Sequence, residues 1–129
     1  IISFIKENKI SPKAKFIGYK NNPYKYIKYS NIFILSSRFE GLPNVLLEAL
    51  LLKKYIISSN CPTGPAEILL NGKAGDLFKV GDYKELSQKI INFNRKKAMN
   101  KIKIGQDTLN RFDYKKNCNK YLELVKKYL

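Results

Sequence analysis

Histidine is absent from these 129 residues. That excludes imidazole acid/base chemistry, triads built on histidine and histidine-ligated metal sites. Cysteine is scarce: Cys61 and Cys118 lie far apart, and neither has a Cys-x-x-Cys partner. This argues against a zinc site or a disulfide framework and suits a reducing compartment. Acidic residues are few, 10 against 25 basic ones, for a formal net charge of +15. No apolar run approaches the ~20 residues needed to cross a bilayer, and no signal-peptide pattern is present. The length suffices for one domain with a real core and not for two. Because the chain starts at Ile1 rather than Met, it is expected to be a piece of a longer polypeptide.

What is abundant is lysine. A basic protein is drawn to nucleic acid, anionic lipid or phosphorylated substrates. The lysines are scattered, however, and Ile, Asn and Tyr are plentiful as well. That is the composition expected of an AT-rich genome, and it outweighs a dedicated basic patch.

Hydrophobic patterning predicts alternating strands and helices. Residues 14–18, "AKFIG", alternate and break at Gly18, as a strand would. Pro23 opens a helical "NPYKYIKYS". The unbroken apolar runs "NIFILSS" and "YIISS" predict strands buried on both faces near residues 31–36 and 55–59. "GDLFKV" predicts a last short strand at 76–79. "CPTGPAEILL" reads as a turn feeding a short helix capped by Thr63, and from Asp82 onward the chain reads as helical. Strands alternating with helices imply βαβ units: an α/β fold with a Rossmann-like parallel sheet flanked by helices.

One helix, predicted over 43–53, carries an unusual pattern. Val45, Leu46, Leu47, Ala49, Leu50, Leu51 and Leu52 cover nearly its whole circumference. Yet Asn44 and Glu48, four residues apart, stack on one face, and that face extends back to Glu40 and Gly41. With Pro43 in the first turn, the strand–loop–helix junction is a ready anion site, with backbone N–H groups near Leu42, Asn44 and Val45 as donors. Open parallel sheets bind ligands beyond the carboxyl ends of their strands, where this loop must lie. One turn further in, the Glu48 carboxylate suits a pair of vicinal hydroxyls, such as those of a ribose. Taken singly, Glu48 could face solvent, and Glu40 could merely favour the helix dipole by about 0.3–1 kcal/mol. Together they favour a site, because an unpaired buried carboxylate is costly. Arg38 could reach a phosphate, although plain solvation is the stronger expectation for it.

The stretch "SRFEGLPNVLLEAL" resembles the E-x7-E signature of the retaining family 4 (group 1) glycosyltransferases, with Glu40 and Glu48 as its acids. "AKFIGYKNNPYKYIKYSNIFILSS" before it and "YIISSNCPTGPAEILLNGKAGDLFKVGD" after it extend the likeness over most of the chain. Enzymes that add hexoses or N-acetylhexosamines to bacterial surface glycans are the nearest in character. The resemblance implies a GT-B enzyme of two Rossmann-like domains, of which residues 1–129 would be one partial, nucleotide-sugar-binding domain. Glu48 would hold the ribose hydroxyls, and Glu40 would contact the donor hexose near its 3-hydroxyl and act in catalysis. Gly41, Leu42, Pro43, Asn44 and Val45 would line the sugar and diphosphate, while Gly18, Tyr19 and Lys20 would lie against the uracil.

The donor would be UDP-linked. No metal cofactor is expected, in keeping with the absence of an Asp-x-Asp motif, and helix dipoles and basic side chains would carry the diphosphate charge. The acceptor, a glycan or lipid-linked glycan, would need an N-terminal domain that these residues do not supply. The family's two opening strands and its diphosphate-gripping basic pair are also missing, so the chain alone is expected to be inactive. It would act in the cytoplasm, with an anionic membrane surface at the inner face of the plasma membrane as a further candidate partner. Nucleic acid is not an expected partner, because the tyrosines sit on helices rather than on a strand surface suited to base stacking. The alternatives are a non-catalytic nucleotide- or nucleic-acid-binding module and the inactive remnant of a split gene.

Overall fold

The computed structural model describes residues 2–10 and 13–129. Three strands form one parallel sheet in the order β1 (Ile32–Leu35), β2 (Tyr55–Ser59), β3 (Asp76–Phe78). The register pairs Ile32 with Tyr55 and Ile57 with Asp76. Helix α3 (Asn44–Leu51) connects β1 to β2, and the short α4 (Pro65–Ile68) connects β2 to β3. Two helices precede the sheet, α1 (Ile2–Glu7) and α2 (Tyr24–Tyr29). After it come α5 (Tyr83–Ile91), α6 (Arg95–Asp107), a 3-10 turn (Leu109–Phe112) and α7 (Tyr114–Tyr128).

Why these residues take these places follows from burial. All five residues of β2 are buried, as an unbroken apolar run between two neighbouring strands requires. The pleat sends its side chains alternately to two cores. Ile56 joins Leu46, Ala49, Leu50, Ile68 and Leu69 on the face covered by α3 and α4. Tyr55 and Ile57 join Phe78 and Ala98 on the face covered by α5 and α6. The two serines that end β2 are wholly buried and hydrogen-bonded: Ser58 to the Ser59 carbonyl at 3.1 Å, and Ser59 to the Ser37 carbonyl at 2.6 Å. Helices α5, α6 and α7 begin at side-chain caps, Asp82, Asn94 and Asp113.

Two expectations are corrected here. Residues 14–18 form no strand. Phe16 is 56% exposed, and none of the described strands pairs with this segment; an alternating pattern without a ladder partner leaves its backbone to water. Helix α3 is also less enclosed than its sequence suggests. Leu46, Ala49 and Leu50 are buried, but Val45, Leu47 and Glu48 are half-buried and Leu51 is 64% exposed.

At the amino ends of β2 and β3, Asp76 accepts from Lys101 at 2.5 Å. Lys101 also donates to the carbonyls of Gly72 (2.9 Å) and Gly75 (3.3 Å). Burial alone would raise the Asp76 pKa. Hydrogen bonds from Lys101 and Tyr55, with the charges of Lys101 and Lys89, outweigh it and hold the carboxyl below its usual range. Burial, then the hydrogen bond to Asp76 and its charge, push the Tyr55 hydroxyl the other way, so it stays protonated.

The consequence is a pH-dependent stability. A depressed folded pKa stabilises fully above the unfolded carboxyl value of about 4, and the contribution fades as pH falls through the lower folded value. Urea unfolding of wild type and Asp76→Asn should therefore differ most near neutrality and converge in acid. A constant difference down to the lowest pH would show that this carboxylate is not stabilised as described.

Candidate functional site

The chain leaves β1 at Leu35 and reaches α3 through residues 36–43. Pro43 is extended (φ −72°, ψ 93°), so the helix starts abruptly at Asn44, and no side chain caps it. The longer helices α5, α6 and α7 all spend a side-chain acceptor on this purpose, which α3 does not. Among the described residues, the amides of Gly41, Leu42, Asn44 and Val45 find no acceptor outside the helix. The first amides of a helix have none within it. A row of unspent donors with the positive end of the helix dipole behind it attracts an anion.

Glu48 lies one turn along α3 on the same face as Asn44. It is half-buried, and its Oε1 accepts from the Tyr24 hydroxyl at 3.4 Å, a long bond. Neither ion pair found among the described residues involves Glu48 or Glu40. Tyr24 was not foreseen as a neighbour of Glu48. It is the first residue of α2, and α2 is tied down at its other end by Lys54, whose ammonium reaches the carbonyls of Lys28 (2.5 Å) and Ser30 (3.2 Å). No sequence signal links positions 24 and 48; α2 is held beside α3 by Lys54 at its C-terminus and by the buried Ile27 in the core shared with Leu46, Ala49 and Leu50.

Glu40 is half-buried in the loop, beside the exposed Arg38 and Phe39. Its backbone carbonyl accepts from the Thr63 hydroxyl. Thr63 thus spends its hydroxyl on the neighbouring loop rather than on α4, whose cap position is Gly64. This corrects the expected helix cap. Gly18, Tyr19 and Lys20 are exposed, Tyr19 by 89%, and no hydrogen bond ties them to the loop of Glu40. Glu48, Tyr24 and the open amides of α3 thus share one region.

Two recesses lie elsewhere. One of about 470 Å³ is lined by Tyr55, Asp76, Lys89 and Lys101 at the amino ends of the strands. Two of its ammonium groups are already paired, Lys89 with Glu85 (3.3 Å) and Lys101 with Asp76, whereas Lys97, also in the lining, has no ion pair among the described residues. Another, of about 450 Å³, touches the loop only through Leu42. Glu40 and Glu48 line neither recess. Among the described residues no cluster of His, Cys, Asp and Glu could hold a metal ion.

Comparison with known proteins converges on one family. The family described as "Glycosyl transferases group 1" matches residues 1–107. A 4-alpha-N-acetylgalactosaminyltransferase of Campylobacter jejuni, named for an N-acetylgalactosamine-N,N'-diacetylbacillosaminyl-diphospho-undecaprenol substrate, is 28% identical over 84% of this chain and 34% of its own length. The crystal structure of TarM superimposes with a TM-score of 0.85 at 18% identity, covering 95% of this chain and 25% of TarM. HepE of Anabaena, solved in complex with UDP, gives 0.79 at 17% identity over 99% of this chain and 36% of HepE. The three-stranded parallel sheet flanked by helices thus matches GT-B glycosyltransferase domains. The chain spans between 13% and 34% of the length of the curated relatives it matches. With the family match running through the sheet, the open end of α3 and both acids, the chain belongs to the group 1 glycosyltransferases.

Proposed function

We propose that this chain forms the nucleotide-sugar site of a retaining glycosyltransferase that passes a hexose or N-acetylhexosamine from UDP to a glycan or lipid-linked acceptor. One observation carries the reading: α3 begins without a cap, its first amides unspent, and a half-buried carboxylate stands one turn further along. A nucleoside diphosphate sugar matches that pattern, with diphosphate for the amides and ribose hydroxyls for Glu48. The UDP in the HepE structure supports this choice of nucleotide, and the lipid-linked substrate named for the Campylobacter relative supports the acceptor class.

In this reading the amides of Gly41, Leu42, Asn44 and Val45, with Pro43 shaping their turn, stabilise charge as the sugar–phosphate bond breaks and UDP leaves. Glu40 contacts the donor sugar near its 3-hydroxyl and positions it for transfer. Gly18, Tyr19 and Lys20, an exposed segment, supply the wall against the uracil. The acceptor is held by parts of the enzyme beyond these residues. A net charge of +15 favours approach to an anionic membrane surface even with the lysines scattered; no helix of the described residues is long and apolar enough to span a membrane.

Because amides rather than a metal carry the diphosphate, binding should be indifferent to divalent cations. Calorimetric titration of the 129-residue chain is expected to show weak binding of UDP and tighter binding of a UDP-sugar. Both isotherms should be unchanged by Mg²⁺ or by chelator. Affinity that collapses on chelation would assign the chain to metal-dependent donor chemistry instead.

A further inference from the structure

The loop that carries Glu40 has little to hold it in place. Residues 38–42 make no backbone–backbone hydrogen bond among the described residues, and Arg38, Phe39, Gly41 and Leu42 are all exposed. Its restraints come from the last residue of β2 and the segment that follows it. The Ser37 carbonyl accepts from the Ser59 hydroxyl at 2.6 Å and from the buried Cys61 thiol at 3.0 Å, which uses both lone pairs of one oxygen. The Glu40 carbonyl accepts from the Thr63 hydroxyl. Gly64 sits at φ +88°, and a Cβ there would lie 2.5 Å from the Pro43 ring and overlap the Gly41 carbonyl. Only glycine allows the two loops to approach this closely.

We propose that residues 59–64 are a clamp for the donor-site loop, with Ser59, Cys61 and Thr63 as positioning residues and Gly64 as the point of contact. The clamp grips the loop at both ends of its free stretch, Ser37 on one side, Glu40 and Gly41 on the other. It fixes where the Glu40 side chain and the open amides stand relative to α3. This inference rests on the donor-site reading for its functional meaning and on the contacts alone for its structural one. It also gives Cys61, a lone buried thiol, a reason to be where it is: a weak donor small enough to share one carbonyl with Ser59, its sulfur 3.4 Å from that hydroxyl.

Thr63 is exposed, so water can satisfy the Glu40 carbonyl once the hydroxyl is gone, and global stability should hardly change. Positioning should change. Thr63→Val is expected to lower the nitrogen-15 heteronuclear NOE of Gly41 and Leu42, the signature of faster loop motion. It should also weaken UDP about fivefold, the worth of one ordinary hydrogen bond, without moving the thermal midpoint. Thr63→Ser, which keeps the donor, should restore both. Cys61→Ala and its rescue Cys61→Ser form a second, independent pair, read at Arg38 and Phe39. Unchanged loop relaxation in both Thr63→Val and Cys61→Ala would overturn the clamp, as would a loss that the serine variants fail to restore. If wild type itself does not bind UDP, the donor-site reading falls, and the relaxation data still decide whether the clamp exists.

Discussion

Glu48→Ala is expected to weaken UDP binding by about tenfold to a hundredfold, whereas Glu40→Ala should leave it close to wild type. A charge-assisted hydrogen bond is worth roughly 1.5–3 kcal/mol, and each factor of ten in affinity corresponds to about 1.4 kcal/mol. Ribose would replace the Tyr24 hydroxyl, whose 3.4 Å bond to Glu48 is long and so cheap to give up. Glu48→Gln keeps the shape and one acceptor oxygen but loses the charge, and should fall between wild type and alanine. Glu40 belongs to the sugar rather than to the nucleotide. Its replacement should show in a titration with UDP-sugar, and in an active enzyme more in kcat than in donor affinity. Calorimetry on the three variants with UDP and one UDP-sugar makes the test. Equal losses for both acids with UDP alone would undo the assignment of ribose to one and hexose to the other.

Leu50→Ala should remove about 2–5 kcal/mol of folding free energy, as large-to-small changes at enclosed leucines do. Leu50 is 1% exposed. It packs against α6: a Cβ on Gly105 would be 2.5 Å from Leu50 Cδ2 and 3.4 Å from the Ala74 methyl. The loss is large for a domain whose total stability is on the order of 5–15 kcal/mol. Gly105→Ala alone overpacks the same spot and should cost about 1–3 kcal/mol, eased because its nearest neighbour is the tip of a flexible side chain. In the double variant the new methyl fills part of the space that Leu50 vacates, so the two costs should sum to more than the measured loss. Urea denaturation of the four proteins reads the coupling directly. Simple additivity would mean that α3 and α6 do not meet through these two residues.

Much of the fold was legible in the sequence because it rests on local pattern. Runs such as "NIFILSS" and "YIISS" stand out because a strand with neighbours on both sides must be apolar on both faces. The structure places those strands at Ile32–Leu35 and Tyr55–Ser59. Asp76–Phe78 follows as the third parallel neighbour. The alternation at residues 14–18 carried the same kind of signal and misled, since a strand needs a partner as well as a pattern. At the candidate site, Asn44 and Glu48 stood out because they interrupt an apolar helix at helical spacing, and Glu40, Gly41 and Pro43 because they lead into it on the same face.

What the sequence determined by itself was the order of the three parallel strands and the helices between them, the abrupt start of α3 just after Pro43, and two carboxylates eight positions apart on either side of that start. These depend on residues near one another in the chain, whose preferences act before anything folds around them. The tertiary structure alone decided that Tyr24 meets Glu48, that Thr63 turns from its own helix to the Glu40 carbonyl, and that Ser59 and Cys61 share the Ser37 oxygen. Each of those contacts joins segments about twenty residues or more apart in sequence. A hydroxyl or thiol has several acceptors within its chemical means, and which one it takes is settled only when packing of the sheet brings one loop beside another.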